Sequence, residues 1–234
     1  MKALPVIALC LFFALSAQAQ FGLNARYLIP AEDNWPYVTE NGGQSSISRP
    51  YDKGWSAGLD FWFRLKNKRV EFLPELNYTQ LTNSEGSLIE FESETKIYSF
   101  FFNTNFYLWD FTGDCDCPTF SKQGPTLGKG LFIQVSPGIS YWDGVYRDAV
   151  SLIDDEALAF SIGGGVGFDI GITDLVTFTP MANLRYFPEV KLEGSIPTSE
   201  NNPLPDLVTL TSTESPFLWS VGLRLGFRLD TSRY

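Results

Sequence analysis

The chain has 234 residues, 44% hydrophobic and 15% aromatic, with 17 basic against 27 acidic side chains and a formal net charge of -10. The acidic surplus excludes an electrostatic nucleic-acid binder, which needs clustered Lys and Arg. A mean hydropathy of -0.04 excludes a helical membrane bundle, built from repeated runs of about 20 apolar residues. Histidine is absent, which removes His-based acid–base or triad catalysis and the commonest zinc ligand.

Residues 1–19 read as a signal peptide. Lys2 is the only charge before Arg26, Leu4 to Leu15 is apolar, and Ala17-Gln18-Ala19 is a small-x-small cleavage site. Cys10 lies within the apolar stretch and leaves with it. Residues 20–234 then form one domain, exported to an oxidising compartment.

That domain alternates with period two nearly throughout. Strands are expected at roughly 21–29, 54–66, 69–80, 96–108, 130–142, 158–172, 175–187 and 216–229. In the second, Trp55, Ala57, Leu59, Phe61, Phe63 and Leu65 alternate with Ser56, Gly58, Asp60, Trp62 and Arg64. Successive side chains of a strand point to opposite faces, so each strand meets two unlike surroundings. The apolar register is too bulky to fill an eight-stranded interior. The other register suits a narrow one, with Gly163, Gly165, Gly167 and Gly171 in a single strand. Large residues out and small or polar ones in is the pattern of a transmembrane barrel. The expected fold is therefore all-β: an eight-stranded antiparallel up-and-down transmembrane β-barrel.

With the N-terminus periplasmic, Tyr27, Trp55, Tyr78, Tyr98, Tyr141, Phe160, Tyr186 and Phe217 or Trp219 fall at one level, an aromatic girdle. Tight turns at Asn67-Lys68 and Thr173-Asp174 lie on the periplasmic side. Long segments around 30–53, 81–95, 143–157 and 188–215 lie outside the cell. The long connection 109–129 breaks the rule. A weak repeat recurs at Phe72-Leu-Pro74, Val135-Ser-Pro137 and Phe178-Thr-Pro180. Its prolines, unable to donate to a ladder, imply bulges or rim waters.

The candidate site is the inward charge set Arg26, Asp60, Arg64, Glu71, Glu75, Asp169, Arg185, Arg224 and Arg228. Either it is a structural network that plugs a narrow lumen, or it lines a polar path; buried charges persist when paired, which favours the plug. Glu71 and Glu75 are about 13 Å apart by strand rise, too far for paired-carboxylate glycoside chemistry. Cys115 and Cys117 can form a small disulfide across 109–129, chelate a soft metal, or stay as thiols; the disulfide is preferred. A closed four-ligand zinc site is not available from one chain so composed. Acidic outer segments such as Asp154-Asp155-Glu156 lack calcium-loop order. No metal or cofactor is expected.

Near the C-terminus, Ser220-x-Gly222-x-x-Leu225-x-Phe227 is similar to the terminal insertion signal of outer-membrane barrels, although the chain runs on to Tyr234. Together with Ala17-Gln18-Ala19-Gln20, the eight alternating strands, Cys115-Asp116-Cys117-Pro118-Thr119-Phe120-Ser121, Gly130-Leu131-Phe132 and Ser136-Pro137-Gly138, the chain resembles the outer-membrane β-barrel families of Bacteroidetes, including the PorT-like and OmpA-like small barrels. The resemblance implies an outer-membrane protein assembled by the barrel-insertion machinery, with a link to type IX secretion. The expected function is non-enzymatic: a structural, adhesive or secretion-accessory role carried by the outer loops. The alternative is a narrow pore for ions or small solutes. Expected partners are outer-membrane lipid and a secretion-system or surface protein, with no nucleic acid; the expected state is a monomer.

Overall fold

The computed structural model describes residues 20–31, 34–38, 44–48, 51–64, 70–83, 92–108, 130–147, 152–173, 176–197 and 207–227. In chain order the strands are β1 (Gln20–Pro30), β2 (Asn34–Val38), β3 (Gln44–Ser48), β4 (Lys53–Arg64), β5 (Val70–Asn83), β6 (Glu92–Tyr107), β7 (Leu131–Arg147), β8 (Leu152–Phe168), β9 (Ile170–Gly171), β10 (Val176–Tyr186), β11 (Val190–Pro197), β12 (Leu207–Glu214) and β13 (Phe217–Phe227). The signal peptide, Cys115, Cys117 and Arg228 lie outside the described residues, as does the side chain of Arg64.

Pairing runs β13-β1-β4-β5-β6-β7-β8-β10, and β10 pairs back to β13. Eight antiparallel strands thus close into a barrel, with β9 continuing the β8 edge after a break at Asp169. Closure leaves no edge in the wall, which hydrocarbon would not tolerate. The apolar register faces outward. Leu23, Leu59, Phe61, Phe100, Val135, Phe160, Val221 and Leu223 are all exposed. On the opposite face Asn24, Asp60, Glu75, Asn103, Ser140 and Arg224 are buried.

We call the end where β1 finishes the upper rim. The aromatic girdle there is a matter of register: Tyr27 faces Trp55, Tyr78 faces Tyr98, Tyr98 faces Tyr141, and Tyr186 faces Phe217. Ring centroids of Trp55–Tyr78, Tyr78–Tyr98 and Tyr186–Phe217 lie 5.5, 5.4 and 4.5 Å apart. A second band near the lower rim is made of phenylalanine. Phe21 stacks on Phe227, and Phe63, Phe72 and Phe102 follow one another at 5.3 and 5.7 Å. The pair of bands brackets the apolar belt of a membrane barrel.

The three repeat prolines share one structural solution. On the side of each preceding strand, the ladder lapses for two residues opposite Pro74, Pro137 and Pro180, then resumes in the same register. No residue is inserted, so these are not bulges. The missing N–H points to one neighbour only, and pairing to the other neighbour continues through the proline.

Two features depart from the expected strand map. The strands β5 to β8 run further past the girdle than alternation suggested. In addition, the long segments after β1 and after β10 are themselves stranded. They form a four-stranded sheet, β11-β12-β2-β3, beyond the upper rim. The two hairpins meet where Thr211 pairs with Val38.

Candidate functional site

The lumen is where the inward charges gather, and glycines make the room. Five inward glycines stand directly across a ladder from a large inward side chain: Gly222 from Arg26, Gly138 from Phe101, Gly167 from Phe132, Gly165 from Asn183 and Gly163 from Arg185. A Cβ at Gly163 would lie 3.0 Å from the Arg185 guanidinium, and one at Gly58 would lie 2.6 Å from Glu75. The alternation of large and small is how a narrow barrel fills its interior.

Near the lower rim, Arg224 from β13 grips Asp60 on β4 with two hydrogen bonds, Nε to Oδ2 at 2.8 Å and Nη2 to Oδ1 at 2.5 Å. The fork geometry is the strong form of a charge-assisted pair. Beside it the buried Tyr107 hydroxyl lies 2.8 Å from Glu71 Oε2 and 2.5 Å from Asp169 Oδ2. Thr179 donates to the other Asp169 oxygen. Asp169 reaches the lumen from the break between β8 and β9.

Midway up, Glu75 collects three donors. Arg26 Nη2 approaches Oε2 at 2.8 Å, Asn103 Nδ2 approaches Oε2 at 2.6 Å, and Asn77 Nδ2 approaches Oε1 at 3.0 Å. Arg185 behaves differently. Its Nη1 donates to the Ser136 carbonyl at 3.1 Å and to Ser161 Oγ at 2.9 Å, its Nη2 to Ser136 Oγ at 2.5 Å, and its Cζ sits 3.5 Å over the Phe101 ring. Its contacts are hydroxyls, a carbonyl and a ring face. The ring contact is the cation–π arrangement that favours a poorly solvated guanidinium.

Toward the upper rim the lumen turns apolar. Leu28, Leu81, Ile97, Trp142, Phe187 and Leu218 form a buried cluster together with Tyr51, Ala157, Ala159 and Val190. Trp142 and Leu81 are wholly buried, and the Trp142 and Phe187 rings meet edge to face at 5.0 Å. A cavity of only about 40 Å³ remains between this cluster and the Glu75 layer.

The structure therefore brings Arg26 to Glu75 and Arg224 to Asp60, and joins Glu71 to Asp169 through Tyr107. Arg185 stands apart from any carboxylate among the described residues. Arg64 lies opposite Glu71 in the β4–β5 register. Sequence reasoning missed Tyr107, Thr179, Asn77 and Asn103, which polar residues on the inward register would have flagged. It also missed the apolar cluster. Its signal was broken alternation at one level: Tyr27-Leu28-Ile29, Tyr141-Trp142, Tyr186-Phe187 and Phe217-Leu218-Trp219.

Closed eight-strand pairing, an apolar exterior between aromatic bands and a polar, charge-paired interior define a small integral barrel of the outer-membrane class. One solved structure of that class shares the fold, and others are similar at lower scores. The outer membrane protein OprG from Pseudomonas aeruginosa superposes with a TM-score of 0.50 at 14% identity, covering 90% of this chain and 96% of its own. Outer membrane protein AlkL gives 0.48 at 13% identity, covering 92% of each chain. Neisserial surface protein A gives 0.46 at 13% identity, covering 91% of this chain and 98% of its own. No family model matches the chain, and no curated protein does.

Proposed function

We propose that the chain is a non-enzymatic, monomeric barrel of the bacterial outer membrane. Its work is structural, adhesive or secretion-accessory, and is carried by the segments beyond the upper rim. In this reading the upper rim is extracellular and both termini are periplasmic. The observation that carries it is the filled lumen: ion pairs below, an apolar cluster above, and about 40 Å³ between them. Such an interior suits a rigid support more than a conduit. The four-stranded sheet built from two connections supports the same reading, because it gives the upper rim an ordered surface. A PorT-like place in type IX secretion is the finer form of the proposal and rests on the sequence resemblance. An enzyme is disfavoured because barrel interiors that do chemistry need an accessible acid or base, and here histidine is absent while Glu75 and Asp60 are consumed by their arginines.

The test is conductance of the purified full-length protein in planar bilayers. Sparse, irregular events are expected. Large, reproducible channels reject the reading in favour of the narrow pore, and in that case neutralising Arg224 must alter ion selectivity.

A further inference from the structure

The cavity between the Glu75 layer and the apolar cluster has an unusual wall. Among the described residues two guanidiniums line it, Arg26 and Arg185, and no carboxylate does. The rest of its polar lining is neutral and includes Asn77, Asn103, Gln134 and Asn183. Two of its lining residues each carry a donor, Arg26 Nε and Asn183 Nδ2, that is buried without a protein acceptor. The direct ion pair of Glu75 is with Arg26, and Asn77 and Asn103 are already turned toward it. Among the described residues Arg185 is left with no carboxylate in contact at membrane depth. An uncompensated buried ion is expensive, and ring-face and hydroxyl contacts offset that only in part.

From this wall we infer a binding site for one small monovalent inorganic anion, of halide size, between Arg26 and Arg185. The volume agrees: a water needs roughly 10–15 Å³ measured in this way, so about 40 Å³ holds a halide with a water beside it. The anion accepts from Arg26 Nε and Asn183 Nδ2 and brings a negative charge into contact with Arg185. The apolar cluster lines the upper side of the site, so the ion is a structural ligand held within the lumen. The inference concerns the closed lumen and is independent of what the outer segments do.

The probe is bromide. The full-length protein, folded in detergent micelles, is unfolded with urea in sodium chloride, sodium bromide or sodium gluconate at equal ionic strength, and crystals grown in bromide are measured at its absorption edge. Binding to the folded state alone raises stability with ligand concentration, so the midpoint rises with chloride and bromide but not with gluconate, which is too large to enter. Bromide gives an anomalous peak between Arg26 and Arg185. Asn183→Asp places a carboxylate in the same wall at unchanged size, and it abolishes the halide dependence and the peak while the protein still folds. Arg185→Gln also abolishes both, and if that variant does not fold, Asn183→Asp decides. Equal midpoints in all three salts, density for water alone, or halide dependence that survives Asn183→Asp overturns the site.

Discussion

Asp60 and Glu75 face each other directly across the β4–β5 ladder, yet each forms its ion pair with an arginine two strands away. Like charges opposite one another on a sheet repel. Arg224 reaches Asp60 past β1, and Arg26 reaches Glu75 past β4. The two pairs thus cross neighbouring strands and tie β13, β1, β4 and β5 together through the lumen.

Removing one member of such a pair leaves the other charged and buried. Asp60→Ala is expected to cost about 3–5 kcal/mol of folding free energy, read from urea titration in lipid vesicles. Asp60→Ala combined with Arg224→Met should cost less than the two single changes added together. Strict additivity would show that the two side chains do not interact.

Leu59 lies outward in mid-strand, exposed to the bilayer. Leu59→Arg should cost about 2–4 kcal/mol in lipid vesicles. Its best control is Gly164→Ala, also outward, where an added Cβ comes no nearer than 3.9 Å to any atom beyond its own chain neighbours. That change should stay within about 1 kcal/mol of the parent. Gly58→Ser is inward and polar, but it meets Glu75 and Asn24 and should be clearly destabilising.

Gly167 stands opposite Phe132, whose ring fills the space a side chain at Gly167 would take. Gly167→Ala overpacks the lumen and should cost about 1–3 kcal/mol. In a Phe132→Ala background the same change should be close to neutral. Thermal unfolding followed by the loss of heat-modifiable mobility on SDS gels reports both.

Tyr107 serves two carboxyl groups with one hydroxyl. Tyr107→Phe keeps the ring and its 5.5 Å contact with Phe132 but removes the bridge between Glu71 and Asp169. The expected cost is about 1–3 kcal/mol. An unchanged unfolding midpoint would mean that the two carboxyl groups are held by their other partners.

Much of the barrel was legible in the chain because a strand has a strict period of two. That period sorted Leu59 from Asp60 and Leu223 from Arg224, and it levelled Trp55, Tyr78, Tyr98 and Tyr141 on successive strands. Residues with large outward neighbours and small inward ones leave only lipid as the surrounding of the outer face. Pro74, Pro137 and Pro180 were legible as a repeat, but their fit was not. Whether a missing N–H faces a ladder bond depends on which neighbour that residue addresses.

Alternation assigns a face; it gives neither depth in the lumen nor a partner across it. Those follow from the stagger and curvature set when a sheet closes on itself. Closure put Arg224 against Asp60 at a sequence separation of 164, left Arg185 on Phe101 and two serines, and gathered Leu28, Trp142 and Phe187 into one plug. It also brought the segments after β1 and β10 close enough for Val38 to pair with Thr211. The amino-acid order fixes what each strand offers to either side, while the closed ring decides which of those offers meet.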